Sequence, residues 1–502
     1  AAFPVYFPEC GPGYEHWSFL VGTKNLALLF DEDKFYRMPV WNFTAPAPEI
    51  FHDENFPRWA NGQTHRKMKS RLAEIVEELM PTTISRTLNT TNRFMDRWAA
   101  RKSFPWLPEF NEFTTALFCE VFTGKMLTEA PDLFTTVLYG VDPFRKNSFE
   151  SQKVTREDNV AQGMEAKAKL SEFLVGKNPT ESDTFDADLL IGSGGFAVIP
   201  ALKNVLINLY AILSSEPEIR QRVVEELRLL RDPLERDALT KNTPLLEACI
   251  WETIRLHPPV GHYYARARED IVVDGLHIPK DSNVVGHTWY SYHDPALYKN
   301  PHLFDPDRFM EPRNEHIAGD NSFDPFGSGD PLNGHACPGK DLATLLVKTT
   351  IAQSLLEYDW ELSKPAWDDT QYRERYGVPN YEDGMQVNDF RKRDSNDWND
   401  FFNADSTEES MTLDELRSFN GEDDKPIYIA ILGNVYDVSS SADFYGEGGP
   451  YEVFAGRDAS RALATMSLEE EDLDNPDITS LTQSQMDMLK QWHDRLASKY
   501  PL

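Results

Sequence analysis

The residue that most narrows the chemistry of this chain is Cys337, set in a glycine- and proline-rich run from Phe326 to Asp341 that includes Gly327, Gly329, Gly334, Pro338 and Gly339. An apolar helical stretch opens directly after it at Leu342. A thiol at a helix N-terminus is favoured as thiolate by the dipole and the free backbone N–H groups, which is what a thiolate ligand to iron requires. Upstream, Glu252 and Arg255 lie three apart on one helical face, and Arg308 in the run Phe304 to Phe309 could close an ion triad with them. Near the C-terminus, Tyr445 and Tyr451 flank a second Gly-rich loop, with Lys499 and Tyr500 further on. The four cysteines (Cys10, Cys119, Cys249 and Cys337) are too few and too scattered for a disulfide framework or a zinc site, and they point to a reducing compartment.

These residues need scaffolding. Helical spacing of apolar residues is visible over Lys67–Leu79, Val160–Leu174, Ile199–Leu213, Pro217–Leu230 and Pro244–Leu256. Strand-like runs, Ile271–Val273 before Asp274-Gly275 and Asn283–Val285, are a minority. Residues 1–395 therefore read as one mainly α domain with minor β. Residues 396–409, with Asp397, Asp400, Asp405, Glu408 and Glu409 and few aliphatics, read as a solvated acidic linker. Residues 410–502 read as a small α+β domain with a Gly-rich loop and a strand-like run Ile427–Val438 that turns at Gly433-Asn434.

Taken in order, the Glu252–Arg255 helix, the Phe304–Phe309 segment and the Phe326–Cys337 loop resemble the motifs of the cytochrome P450 superfamily. The resemblance implies heme b with Cys337 as axial thiolate, Phe326 and Gly339 in the heme-binding loop, and Glu252, Arg255 and Arg308 as the structural triad behind it. Two features depart from the common pattern. Phe326 to Cys337 is eleven steps where seven are usual, an insertion of four, and His335 stands two before the cysteine. In addition, the helix that in the superfamily crosses the distal heme face reads Ile191-Gly192-Ser193-Gly194-Gly195-Phe196-Ala197-Val198-Ile199-Pro200, without the acid–threonine pair that relays protons in oxygen-activating members.

Both departures resemble the branch of allene oxide synthases, hydroperoxide lyases, divinyl ether synthases and epoxyalcohol synthases, over most of residues 20–395. That likeness makes His65, Lys69 and Arg266 candidates to hold the heme propionates. Ile191, Ser193, Gly194, Gly195, Phe196 and Val260 become candidates for the substrate pocket, with Val198 and Ile199 beside them in its apolar wall. Plant members carry an Asn where this chain has Ile191, so either Ser193 takes the polar role or the substrate differs from a plant fatty-acid hydroperoxide. The implied reaction needs no reductase: the substrate O–O bond is cleaved homolytically, and the alkoxyl radical cyclises, fragments or is oxidised to an allene oxide.

Residues 410–500 resemble the membrane-associated progesterone receptor family, heme-binding relatives of cytochrome b5. Only His493 is present in this stretch, which excludes a bis-His ligand pair within it. The resemblance implies Tyr451 as a tyrosinate ligand to a second heme b, Tyr445 as its hydrogen-bonding neighbour and Lys499-Tyr500 near the heme edge. A tyrosinate favours ferric iron, so heme storage, docking or regulation is expected ahead of electron shuttling, and sterol binding stays open as an alternative.

Composition bounds the partners. With 40% apolar and 12% aromatic residues the chain can bury a sizeable core, which excludes disordered, collagen-like and coiled-coil classes. Fifty basic against 82 acidic side chains give a net charge of −32, which repels phosphate backbones and excludes nucleic acid as a partner. No apolar run of spanning length is expected, because Lys203, Asn204 and Asn208 interrupt the best one. Localisation is expected to be intracellular, either cytoplasmic or peripheral to an internal membrane, with attachment through a missing N-terminal segment left open. The small N-terminal β region of the superfamily is expected to be incomplete. The leading expectation is an enzyme that rearranges or dehydrates a lipid hydroperoxide with no separate reductase. The alternatives are an oxygen-activating monooxygenase fed by the tail, and a non-catalytic heme or sterol carrier.

Overall fold

In the computed structural model of the protein, the described residues are 2–6, 16–36, 50–51, 62–141, 156–230, 234–317, 323–332, 334–362, 386–393, 411–422, 425–469, 472–475, 481, 485, 488–489, 492–493, 495–496 and 499–500. Cys10 and the acidic segment 396–409 lie outside them. The chain divides into two compact units, residues 1–227 with 234–392 and residues 228–233 with 393–502.

The larger unit is mainly helical, as its sequence periodicity predicts. Its central rod starts at a capping box, in which the Thr180 hydroxyl accepts from the Asp183 N–H and the Asp183 carboxylate accepts from the Thr180 N–H. The rod runs through Glu181–Ser193, a π-helical turn at Gly194–Val198 and then Ile199–Ser215. Among the described residues this is one helix long and apolar enough to cross a membrane, and 67% of its apolar window is buried inside the protein. The expectation that no such run exists is therefore corrected. Asn204 and Asn208 interrupt the sequence pattern yet are buried, and the Asn208 amide donates to the Asn204 carbonyl one turn back.

The rod is apolar because the core packs on it. The Tyr210 ring meets Trp106 and Phe110 of the Trp106–Thr123 helix, and Trp360 of the Tyr358–Leu362 strand, at 4.9–5.9 Å. Its hydroxyl shares a hydrogen bond with Ser354 of the Lys340–Glu357 helix. The Trp106–Thr123 helix stops where Gly124 enters the left-handed region at φ 67°, a cap that glycine adopts without strain.

A five-stranded sheet runs in the order Ala2–Tyr6, His16–Leu20, Asn283–His287, His262–Ala267, Phe35–Tyr36. Residues 2–6 and 16–20 supply two of its strands. A three-stranded sheet orders Phe104–Pro105, Gln386–Lys392 and Tyr358–Leu362. The Ile271–Val273/Leu276–Ile278 hairpin turns on Asp274 and Gly275, both at positive φ (49° and 82°), as a type I′ turn requires.

In the smaller unit, Thr412 and Glu415 form a capping box at the Leu413–Leu416 helix. Strands Asn434–Asp437, Tyr428–Ile431 and Arg457–Asp458 make its sheet, over a core that includes Ile429, Ile431, Tyr436, Val438, Phe454 and Leu463. The hairpin turn is Leu432-Gly433, at φ 51° and 79°, one residue before the expected pair, because Asn434 already pairs with Ile431 in the ladder.

Candidate functional site

The cysteine loop is held at both ends. The Cys337 N–H donates to the Phe326 carbonyl at 2.8 Å, and the Gly334 N–H donates to the Asp330 carbonyl at 2.8 Å. The insertion therefore closes on itself as a turn and leaves the Phe326–Cys337 hydrogen bond intact. Gly327 sits at φ +80°, and a Cβ there would come within 2.8 Å of the Phe30 ring, so both backbone and packing require glycine. Phe326 meets Trp251 edge-on at 5.9 Å.

Gly339 caps the Lys340–Glu357 helix, and its N–H bonds to the Cys337 sulfur. Solvent reaches Cys337, unlike the buried Cys119 and Cys249. Protein atoms nevertheless crowd its sulfur, and that desolvation pushes the thiol above the ordinary cysteine value while the Gly339 N–H and the Lys69 ammonium pull it back. Burial in turn holds Lys69 below the usual lysine range, against the opposing pull of Cys337, Asp330 and Glu32. Lys69 donates to the carbonyl of Ala336, directly before the cysteine.

Beneath the loop, Arg255 holds Glu252 with two nitrogens at 2.7 and 2.8 Å, and Arg308 Nε reaches the same carboxylate at 3.1 Å. Burial raises the Glu252 pKa and the two guanidiniums oppose it. The second Arg308 arm bonds Glu315 at 3.0 Å, an acid that the sequence pattern did not single out.

The central rod places Ile191 in the core and joins Ile191, Phe196, Val198 and Ile199 in one apolar cluster with Phe118 and Phe134. Gly194 and Gly195 are close-approach positions: a Cβ would lie 2.6 Å from the Phe118 ring at the first and 3.2 Å from the Phe134 ring at the second. Neither phenylalanine carries a sequence signal for this role, since an aromatic at helical spacing reads as plain core. The Ser193 Oγ is buried and has no hydrogen-bond partner. Val260 does not join that cluster; its carbonyl accepts from the Thr288 hydroxyl at 2.6 Å.

His65 and Lys69 lie on the buried face of the Gly62–Leu79 helix. The His65 ring lies 4.2 Å from that of His335 and tilted 30° to it, with Glu32 beside both. Arg266, on the His262–Ala267 strand, donates to Asn283 at 3.0 Å. The structure thus brings His65, Lys69 and Cys337 together, and no described contact joins Arg266 to them. A sulfur under a helix N-terminus, one backbone N–H on it and a buried ammonium beside it form a donor set that fits a heme iron held by thiolate.

In the smaller unit Tyr451, Tyr445 and Tyr500 cluster, with ring centroids 5.9 Å apart for the first pair and 6.4 Å for the second. Tyr445 is hydrogen-bonded to Tyr500, and burial pushes its hydroxyl up to about 12. Tyr500 and Lys499 both donate to Ser441, at 2.8 and 3.2 Å. His493 faces the Tyr436 hydroxyl at 3.1 Å.

Comparison with known proteins gives each unit a relationship. The cytochrome P450 family pattern matches residues 198–386, and the pattern of the cytochrome b5-like heme/steroid binding domain matches residues 412–493. The ferruginol synthase of Salvia fruticosa is 34% identical over 160 residues, 31% of this chain and 32% of that protein, so the chain spans about a third of that relative's length. The probable steroid-binding protein 3 of Arabidopsis thaliana is 47% identical over 93 residues, 18% of this chain and 92% of that protein. A solved cyanobacterial cytochrome P450 bound to retinoic acid superposes with a TM-score of 0.59 at 20% identity, covering 75% of this chain and 90% of that one. The chain is accordingly a cytochrome P450-fold domain with a C-terminal cytochrome b5-like domain, and through residues 412–493 it belongs to the cytochrome b5-like heme/steroid binding family.

Proposed function

We propose that the larger unit is a heme-thiolate enzyme that rearranges or dehydrates an organic hydroperoxide of apolar, lipid-like character without an external reductant. The observation that carries this reading is the segment Ile191–Pro200. It holds no acid and no threonine, two of its positions are glycines pressed against aromatic rings, and its single hydroxyl, Ser193, is buried without a partner. Such a wall has no group to deliver protons to bound dioxygen, so a substrate that already carries the O–O bond suits it better.

A thiolate-ligated heme supplies one-electron chemistry for cleaving that bond. Around it, Cys337 is the iron ligand, and the Gly339 N–H and Lys69 offset the sulfur's charge. Ile191, Phe196, Val198 and Ile199 keep water from a radical, and Ser193 supplies the one hydroxyl of this segment for the polar end of the substrate. The tail acts as an accessory module, with Tyr451 holding a second heme or the loop holding a sterol; the similarity to a probable steroid-binding protein speaks for a steroid.

A second reading, an oxygen-activating monooxygenase that receives electrons through the tail, is favoured by the ferruginol synthase match. Anaerobic mixing of the ferric protein with polyunsaturated fatty-acid hydroperoxides, with no reductant, separates the two. Multiple turnovers with rearranged product masses support the first reading. No conversion, together with NADPH- and reductase-dependent oxidation of an apolar substrate, overturns it in favour of the second.

A further inference from the structure

One lysine joins three parts of the larger unit beside the apolar wall. Lys167 lies on the Arg156–Val175 helix, whose Ala166 and Leu170 are buried in the cluster that also holds Ile191 and Ile199 of the central rod. Its ammonium is 2.8 Å from Asp188 Oδ1 on the rod, donates to the Ile50 carbonyl at 2.8 Å and sits over the Phe51 ring at 4.7 Å. An ammonium has three N–H groups, and a carboxylate, a carbonyl and a ring face are here to receive them. Ile50 and Phe51 are themselves buried, at 2% and 4% exposure, and belong to the same cluster. Asp188 is steadied from across the rod. Asp186, two residues earlier and so on the opposite face, holds Arg71 of the Gly62–Leu79 helix at 2.9 Å, and Lys67 of that helix lies over the Phe185 ring at 4.6 Å. Ile191 follows Asp188 by three residues, so the anchor for the lysine and the wall residue share one face of the rod.

We infer that Lys167 is a positioning residue for the substrate pocket, seating Ile50 and Phe51 as the side of the apolar wall that neither the rod nor the Arg156–Val175 helix supplies. Apolar burial is non-directional, and by itself it does not fix how a two-residue stretch lies on the cluster. A hydrogen bond to the Ile50 carbonyl does fix it, and it also satisfies a backbone acceptor drawn in among apolar side chains. Asp188 makes this tolerable by offsetting the lysine's charge where little water reaches it. A lipid-like substrate then meets Phe51 already in place, and binding carries no cost of ordering the segment.

The inference rests on reading the Ile191–Ile199 cluster as the substrate pocket of the heme-thiolate unit, and the test separates the two. Full-length ferric protein is titrated with an apolar N-aryl imidazole, whose ring nitrogen binds iron and shifts the band of a thiolate-ligated heme, to which a heme in the tail does not contribute. Steady-state turnover of a polyunsaturated fatty-acid hydroperoxide and the unfolding midpoint are measured beside it. K167M keeps an apolar stem and removes the donors. It is expected to raise the azole Kd and the hydroperoxide KM about tenfold, the worth of one charge-assisted hydrogen bond, and to leave kcat within about twofold. K167R, which can serve the carboxylate and the carbonyl together, should restore both. F51A should also raise Kd, and K167M/F51A should bind no more weakly than the weaker single variant, because both changes act through one segment. Wild-type Kd and KM in K167M overturn the inference, as does strict additivity of K167M and F51A. A lowered midpoint with Kd unchanged overturns it too and makes Lys167 a tie between helices. If no hydroperoxide is turned over but the azole constants follow the expected pattern, the proposed reaction fails and the role of Lys167 stands. A wild type that turns over hydroperoxide while K167M matches it in every constant gives the reverse.

Discussion

Arg255 and Glu252 face each other through two hydrogen bonds of 2.7 and 2.8 Å with no solvent exposure on either side chain. The remaining Arg255 nitrogen donates to the carbonyls of Tyr292 and Pro301, so the guanidinium is satisfied on every edge. Removing one member of a buried pair leaves the other charge stranded, at about 3–5 kcal/mol. Arg255→Leu should therefore lower unfolding stability by that amount and reduce heme content. Arg255→Lys should also lose stability, since an ammonium cannot reproduce the fork. Urea unfolding measures both, and a loss under about 1 kcal/mol for Arg255→Leu would show that the pair is dispensable.

Cys337 is the sulfur at the capped end of the Lys340–Glu357 helix, and an oxygen in its place supplies neither the softness nor the charge of a thiolate. Cys337→Ser should abolish the red-shifted ferrous–CO band of thiolate-ligated heme. The fold should persist, because the Cys337 N–H bond to Phe326 uses backbone alone. An unchanged band would refute the ligation.

Gly194 has no room for a side chain: the nearest atom to an added Cβ is Phe118 Cζ at 2.6 Å, part of a rigid ring in the core. Gly194→Ala should destabilise by about 1–3 kcal/mol through overpacking. Gly195→Ala, with Phe134 at 3.2 Å, should cost less. Phe118→Leu in the Gly194→Ala background should recover part of the loss, and calorimetry on the single and double variants measures the coupling. Strict additivity would mean that the ring and the glycine do not meet.

How much of this was legible in the sequence follows from the range over which each interaction acts. Helical periodicity and turn chemistry are local, so the Pro244–Leu256 helix and the Asp274-Gly275 turn are readable from a dozen residues. The Glu252–Arg255 pair is legible because both partners sit on one turn. Glu32, His65 and His335 come from segments far apart in the chain, and only packing of the Phe30 turn on Gly327 makes them neighbours. The buried asparagines of the central rod misled because burial is set by the elements packed on the helix, whereas the Asn208 amide is satisfied locally, one turn back.

His287 titrates in the acid range because burial holds its imidazole down to about 4, against an ordinary value of 6.5. Between those values the unfolded chain binds a proton that the folded chain refuses, so stability rises with pH across that window. The contribution is complete above pH 6.5 and is lost as pH falls to about 4, an effect of at most about 3 kcal/mol. Urea unfolding from pH 4 to 7.5 should show a shallower slope for His287→Gln than for the wild type. Parallel slopes would mean that other groups, such as the buried His257, which is also held low, carry the whole dependence.

Tyr451 is half-buried between aromatic neighbours, stacked on Phe454 at 5.9 Å and edge-on to Trp492 at 6.0 Å. Those contacts involve the ring alone, so Tyr451→Phe removes a candidate ligand oxygen while keeping the packing of a unit that has its own core. If the tyrosinate holds heme, a 405–502 fragment carrying Tyr451→Phe should bind heme at least about tenfold more weakly, while its melting midpoint moves by no more than loss of one hydrogen bond, about 1 kcal/mol, would cause. If heme affinity is unchanged and sterol binding falls instead, the loop is a sterol site. If neither changes, Tyr451 is a packing tyrosine, and the tail's role lies in the Tyr445–Tyr500–Ser441 hydrogen-bond chain or elsewhere on its surface.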